Sequence, residues 1–175
     1  MLAPDAQRRL QHLVVMGVAG CGKTTIGEGL ARALDWPFAE GDLDHPKANI
    51  DKMAAGIPLS DDDRWPWLRI LAGRIAAEEA ACRSSVLACS ALRRAYREVL
   101  RSGAPRVRFV HLHGPVEVLQ ARIAARQGHF FPPGLLASQL AALEPLGADE
   151  DGIIIDVSLA PDAQIAESLR RLGLA

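Results

Sequence analysis

The octapeptide "GVAGCGKT", Gly17 to Thr24, constrains this chain more than any other stretch, because it satisfies the spacing G-x-x-x-x-G-K-[ST] at every fixed position. An apolar run, "LVVM", leads into it and an amphipathic segment, "KTTIGEGLARAL", follows. That is the strand–loop–helix context in which backbone N–H groups of a loop and a helix N-terminus converge on an anion. The predicted nucleotide-binding set is Gly17, Val18, Ala19, Gly20, Cys21, Gly22, Lys23, Thr24 and Thr25. The glycines permit close backbone approach, Lys23 spans the β- and γ-phosphates, and the Thr24 hydroxyl reaches a magnesium ion. The competing reading, an ordinary glycine-rich turn with a surface lysine, ignores the strand and helix on either side. Cys21 reads more simply as a small residue that fits than as a reactive thiol.

Around this loop, short Val-, Ile- and Leu-rich runs alternate with longer segments of helical period, the pattern of parallel strands joined by crossover helices. Strands are expected at His12–Met16, Pro37–Glu40, Val86–Cys89, Val107–His113 and Ile153–Val157, giving an α/β fold with a five-stranded sheet. Helices are expected in "RWPWLRILAGRIAAEEAACR", "ALRRAYREVLR", "PVEVLQARIAARQ", "PGLLASQLAALE" and "PDAQIAESLRRLG", besides the one after the loop. At 175 residues, 49% of them hydrophobic, the chain suits one domain with a core large enough to stand alone. A net charge of −1 offers no broad basic surface for nucleic acid. Three cysteines without paired spacing, an N-terminus lacking a signal-peptide core and no apolar run near the roughly 20 residues of a membrane span predict a cytoplasmic protein free of the membrane.

A phosphate loop alone does not separate a kinase from a GTP-driven switch or a motor. The switch reading lacks an N-K-x-D base-recognition element; "NIDK" has the wrong order. Two other stretches favour a kinase. In "AEGDLDHP" the second strand ends at the sheet edge that carries the phosphate loop, so Asp42 is positioned to accept or orient the proton of an attacking hydroxyl. Asp44 and His45 serve equally well as caps of a following helix, and "SDDDR" reads as an N-cap before "RWPWLRIL". In "ARIAARQGHFFPPG", Arg122 and Arg126 lie on one helical face ahead of a glycine and two prolines, as in a lid that brings arginines to the transferring phosphoryl group. Lys52, Arg64, Arg93 and Arg94 add more cations than ATP needs, which points to an anionic acceptor. His111 and His113 alternate on one strand face, a metal-ligand spacing for which no further ligand is visible, so a structural role is favoured. The third strand ends "VLACS", without the acid that many such enzymes place near the metal.

Taken together, "MGVAGCGKTT", "GDLDHPKANIDKMAAGIPLSDDDRWPWL", "CSALRRAYREVLR", "RIAARQGHFFPPGLLASQLAALEPLGADE" and "IIIDVS" resemble, in order and spacing, the small gluconokinases of the thermoresistant kind. These belong to the nucleoside-monophosphate-kinase-like group of P-loop NTPases. The resemblance implies a three-layer α/β/α single domain over 1–175, an acceptor region near 42–80 and a mobile lid near 122–140. It implies the reaction of ATP with D-gluconate to give ADP and 6-phospho-D-gluconate, with Mg2+. By that carry-over Lys23, Asp42 and Arg126 are catalytic; Arg122 and Arg126 serve ATP; and Asp42, His45, Lys52, Arg64, Ser90, Arg93 and His129 bind the acceptor. Thr24 is the metal ligand. Gln139 touches substrate on lid closure or merely packs its helix. Arg93 stands where a lysine is common and "HFFPP" where the lid tip more often carries methionine, departures that touch geometry rather than substrate class. The resemblance is compatible with a homodimer. The competing assignments are a shikimate, adenylylsulfate or nucleotide kinase of the same fold, or a nucleotide-binding regulator without catalysis. A shikimate kinase would carry a glycine triplet where this chain has "CSAL".

Overall fold

The structure, a computed structural model, describes residues 10–125 and 134–175. Five parallel strands, β1 (His12–Met16), β2 (Phe38–Glu40), β3 (Ser85–Ala88), β4 (Val107–His113) and β5 (Gly152–Asp156), form one sheet in the order β2-β3-β1-β4-β5. β1 sits at the centre, in register with β3 (Val14↔Leu87) and with β4 (Val14↔Phe109). It is buried on both faces, which explains the apolar run Leu13–Met16. Successive side chains of a strand point to opposite faces. Leu13 and Val15 accordingly join one core with Ile26, Leu30, Leu119, Ile155 and Leu172, while Val14 and Met16 join another with Trp67, Leu71, Tyr96 and Phe109.

The first core is covered by α1 (Lys23–Leu34), α5 (Val116–Ala124) and α7 (Pro161–Leu172), with α6 (Leu135–Ala142) contributing Leu136. The second is covered by α3 (Asp61–Ala80) and α4 (Arg94–Arg101). Helices therefore lie on both sides of the sheet in three layers, as the resemblance implies. Between β2 and α3 run a 3-10 turn, Gly41–Asp44, and a short helix, α2 (Lys47–Ala54).

Two boundaries depart from the sequence reading for identifiable reasons. α3 begins at Asp61, before the predicted Arg64, because Ser60 and Asp63 form a reciprocal capping box that satisfies the first-turn N–H groups. The start of α4 at Arg94, after the predicted Ala91, follows from Ala91 holding a left-handed backbone, φ 44°, which no helix accommodates. Arg97 of α4 is fully buried and donates to Glu150 through Nε and Nη2, at 2.6 and 2.9 Å. It also donates to the carbonyls of Ala91, Leu92, Glu144 and Pro145, tying the loop after β3 to the segment before β5.

Candidate active site

The phosphate loop turns from β1 into α1 at the carboxyl edge of the sheet. A Cβ at Gly20, where φ is 80°, would meet Leu119 O and Ile123 at 2.9 Å, so only glycine lets the loop fold down against α5. Gly22 is the N-cap of α1 and supplies no side-chain cap, and the first turn carries no acid. The helix N-terminus is thus left open to an anion. Lys23 arches back over the loop, its Nζ donating to Val18 O at 3.2 Å, and Gly17 N–H donates to Ser90 O at 3.3 Å, which fixes the loop to the end of β3. Cys21 is buried in the first core, in keeping with a residue chosen for size.

The Thr24 hydroxyl donates to Glu40 Oε2 at 2.5 Å. Glu40 ends β2 and is a candidate site residue that sequence reasoning misses, because the acid is sought after β3. Its position two before Asp42, on the strand whose end faces the loop, is the signal that could have found it. Thr24, Glu40 and Asp42 together make a set of hard oxygen donors that suits magnesium.

On the acceptor side Gly41 allows the chain to turn tightly, since a Cβ there would meet Ala88 O at 2.5 Å. The Gly41 carbonyl accepts from Trp67 Nε1 at 2.8 Å, and the indole is stacked under His45 with ring centroids 4.0 Å apart. Asn49 Nδ2 donates to Asp63 O at 2.8 Å and lies 3.3 Å from His45 Nδ1. An amide nitrogen only donates, so His45 Nδ1 accepts and its proton resides on Nε2. Burial, with the Arg64 charge, pushes the His45 pKa down against the opposing pull of Asp42 and Asp44, which keeps the ring a neutral N–H donor.

A cavity of about 280 Å³ joins the two halves: Lys23 and Thr24 from the loop, and Asp42, His45, Arg64 and Ser90 from the acceptor side. Met53, Ile57, Pro58 and Leu59 give it one apolar wall. Arg64 donates to Leu59 O at 2.7 Å and lies 5.6 Å from the Tyr96 ring, a placement that holds the guanidinium without a carboxylate among the described residues. A second cavity of about 260 Å³ lies on the other flank of the loop, bounded by Gly22, Thr25, Arg122, Pro161 and Gln164. Arg122 is anchored there by donating to Val157 O at 2.5 Å and Cys21 O at 3.4 Å.

Not every cation named from sequence reaches the cavity. Lys52 bonds both oxygens of Asp63, at 2.6 and 2.7 Å, and with Ser60 holds that carboxyl down at about 2. It thereby braces α2, and with it Asn49 and His45. Arg93 pairs with Asp61 at 2.9 Å and Arg94 with Asp149. Asp44 is bound by Arg74 of α3, which makes its role structural. The surplus of charge seen in sequence is therefore largely neutralised by neighbouring acids, and of Lys52, Arg64, Arg93 and Arg94 it is Arg64 that lines the cavity. Arg126 and His129 lie outside the described residues. His111 is buried and His113 exposed; among the described residues no group of three or more His, Cys, Asp or Glu side chains is placed to share a metal ion.

A phosphate loop on a central parallel strand, facing a carboxylate and an arginine across one cavity, defines a small-molecule kinase. Comparison with known proteins narrows this. Residues 19–171 match the shikimate kinase family. The chain is 47% identical over 160 residues to a gluconokinase of Gluconobacter oxydans, covering 91% of this chain and 90% of that protein. It is 40% identical over 157 residues to the thermoresistant gluconokinase of Escherichia coli, covering 89% and 90% respectively. A sugar kinase from Janibacter sp. HTCC2649 superposes with a TM-score of 0.90 at 51% identity, covering 95% of this chain and 96% of that one. The chain belongs to the gluconokinases, within the shikimate-kinase-like group of phosphate-loop enzymes.

Proposed function

We propose that the protein transfers the γ-phosphoryl group of ATP to the terminal hydroxyl of D-gluconate, giving ADP and 6-phospho-D-gluconate. The observation that carries this reading is the shared cavity, in which Lys23 and Asp42 face one compartment and Arg64 offers a cation to a carboxylate. ATP lies with its phosphates on the loop amides and Lys23, and its nucleoside toward the Arg122 cavity. Thr24, with Glu40 and Asp42 as oxygen partners, would hold a magnesium ion, which would supply neutralisation of the phosphate charge.

Gluconate lies with its carboxylate on Arg64 and its hydroxyls on His45 Nε2–H and Ser90. Asp42 accepts the proton of the terminal hydroxyl as the O–P bond forms and the bond to the ADP oxygen breaks. Lys52 and Arg93 act indirectly, through Asp63 and Asp61, by holding the elements that carry His45 and Arg64. In this reading Arg126 serves ATP and the transferring phosphoryl group, and His129 the acceptor. The setting is the cytoplasm, where ATP is available and the three free cysteines stay reduced.

The test is ADP release from ATP and magnesium with D-gluconate, shikimate, adenylylsulfate, AMP or no acceptor, for the wild type and Asp42→Ala. Gluconate alone should support rapid turnover, and Asp42→Ala should abolish it while ATP still binds. Rapid turnover with another acceptor and none with gluconate overturns the assignment.

A further inference from the structure

Gln139 stands on α6, yet its side chain reaches the phosphate loop: Oε1 accepts from the Ala19 N–H at 2.6 Å, across 120 residues of sequence. A backbone N–H only donates, so this contact fixes which end of the amide faces the loop. The Nε2 group, with two N–H donors, then points elsewhere, and among the described residues it donates to no protein group. Gln139 also lines the cavity that holds Lys23, Thr24, Asp42 and Ser90. Helix packing does not require it, because α6 is held to the first core by Leu136 and Leu140. A neutral amide donor, anchored at one end to the loop that cradles the phosphates, faces the compartment through which the phosphoryl group moves.

We propose that Gln139 is a catalytic residue of phosphoryl transfer, its Oε1 anchored on Ala19 and its Nε2 donating to the oxygens of the transferring phosphoryl group. This rests on the kinase reading above and adds a role to it. As the acceptor oxygen bonds to phosphorus and the ADP oxygen departs, charge spreads over the three equatorial oxygens, and a fixed donor beside them lowers the barrier without reorganising.

Gln139→Glu tests this directly. The carboxylate keeps an acceptor for the Ala19 N–H and nearly the same shape, but loses the donor and sets a negative charge toward the phosphoryl group. At saturating ATP and gluconate, kcat should fall about a hundredfold, the typical loss on removing one such donor. The thermal midpoint and the KM for gluconate should stay near wild type. As pH falls toward the range where a carboxyl protonates and regains an O–H donor, kcat of the variant should recover relative to wild type. Gln139→Met, which lacks anchor and donor, should lose as much without that pH recovery. Acceptor-free ATP hydrolysis, in which the same phosphoryl group passes to water, is followed in parallel, so the contribution of Gln139 is measured even if gluconate is not the acceptor. A Gln139→Glu enzyme with wild-type kcat and wild-type hydrolysis overturns the proposal while leaving the kinase reading intact. A wild type inert toward gluconate overturns only the acceptor assignment.

Discussion

His111 offers a stability effect whose size follows from its surroundings. It lies on β4 between Met16 of β1 and Ile154 of β5, is 2% exposed, and has both ring nitrogens without a hydrogen-bond partner among the described residues. Burial pushes its pKa down from 6.5 to about 4, with His113 and Arg97 adding like charge. Below pH 6.5 the unfolded chain therefore takes up a proton that the folded chain refuses until about pH 4, and stability falls as pH falls through that window. Linkage puts the loss between pH 7 and pH 5 at about 2 kcal/mol. For a chain of this length that is a drop of roughly 4–8 °C in thermal midpoint. His111→Leu removes the titrating group and the orphaned polar atoms together, so this share of the acid sensitivity should vanish. Thermal unfolding of wild type and variant by circular dichroism at pH 7 and pH 5 measures it as the change in their midpoint difference. All other titrating groups are common to both proteins and cancel. A midpoint difference identical at the two pH values refutes the reasoning.

Other perturbations follow from the same structure. Glu40→Gln should raise the magnesium concentration needed for half-maximal activity by about tenfold to a hundredfold, because it alters the partner of Thr24, the hydroxyl proposed to bind the metal; a magnesium titration of turnover reads this directly. Arg97→Met should destabilise the fold by about 3–5 kcal/mol, since it strands a buried Glu150 carboxylate, whereas replacing both members by apolar residues should recover much of the loss in denaturant melts. Arg64→Ala should raise the KM for gluconate with little effect on the KM for ATP, which steady-state kinetics with each substrate varied separates.

Local features are legible in the sequence and long-range pairings are not. β1 and β4 coincide with the predicted His12–Met16 and Val107–His113 because strands buried between neighbours are rich in apolar residues, Leu13–Met16 in β1 and Val107, Phe109, Val110 and Leu112 in β4. The phosphate loop is legible for a similar reason: all its functional groups lie within eight consecutive residues. α2, "KANIDKMA", carries too little apolar periodicity in eight residues to be read as more than the continuation of a cap. Its position is set by Lys52, Asn49 and Asp63, which meet only in three dimensions. The same limit hides the partners of the cations. "SDDDR" reads as a helix cap, which it is, but Asp61 and Asp63 also neutralise Arg93 and Lys52 across 32 and 11 residues. Glu40 facing Thr24 and Gln139 facing Ala19 depend on strand order and on the seating of α6, neither of which spacing alone reveals.

The proposed mechanism has Asp42 and the phosphate loop act together on the terminal hydroxyl of gluconate, and phosphorus NMR of the product formed by the wild-type enzyme from ATP, magnesium and D-gluconate observes that step at the atom concerned. One phosphomonoester, coupled to the two protons of the terminal carbon and absent with Asp42→Ala, is the expected signal. A phosphoester on any other carbon, or inorganic phosphate as the only new signal, would contradict it.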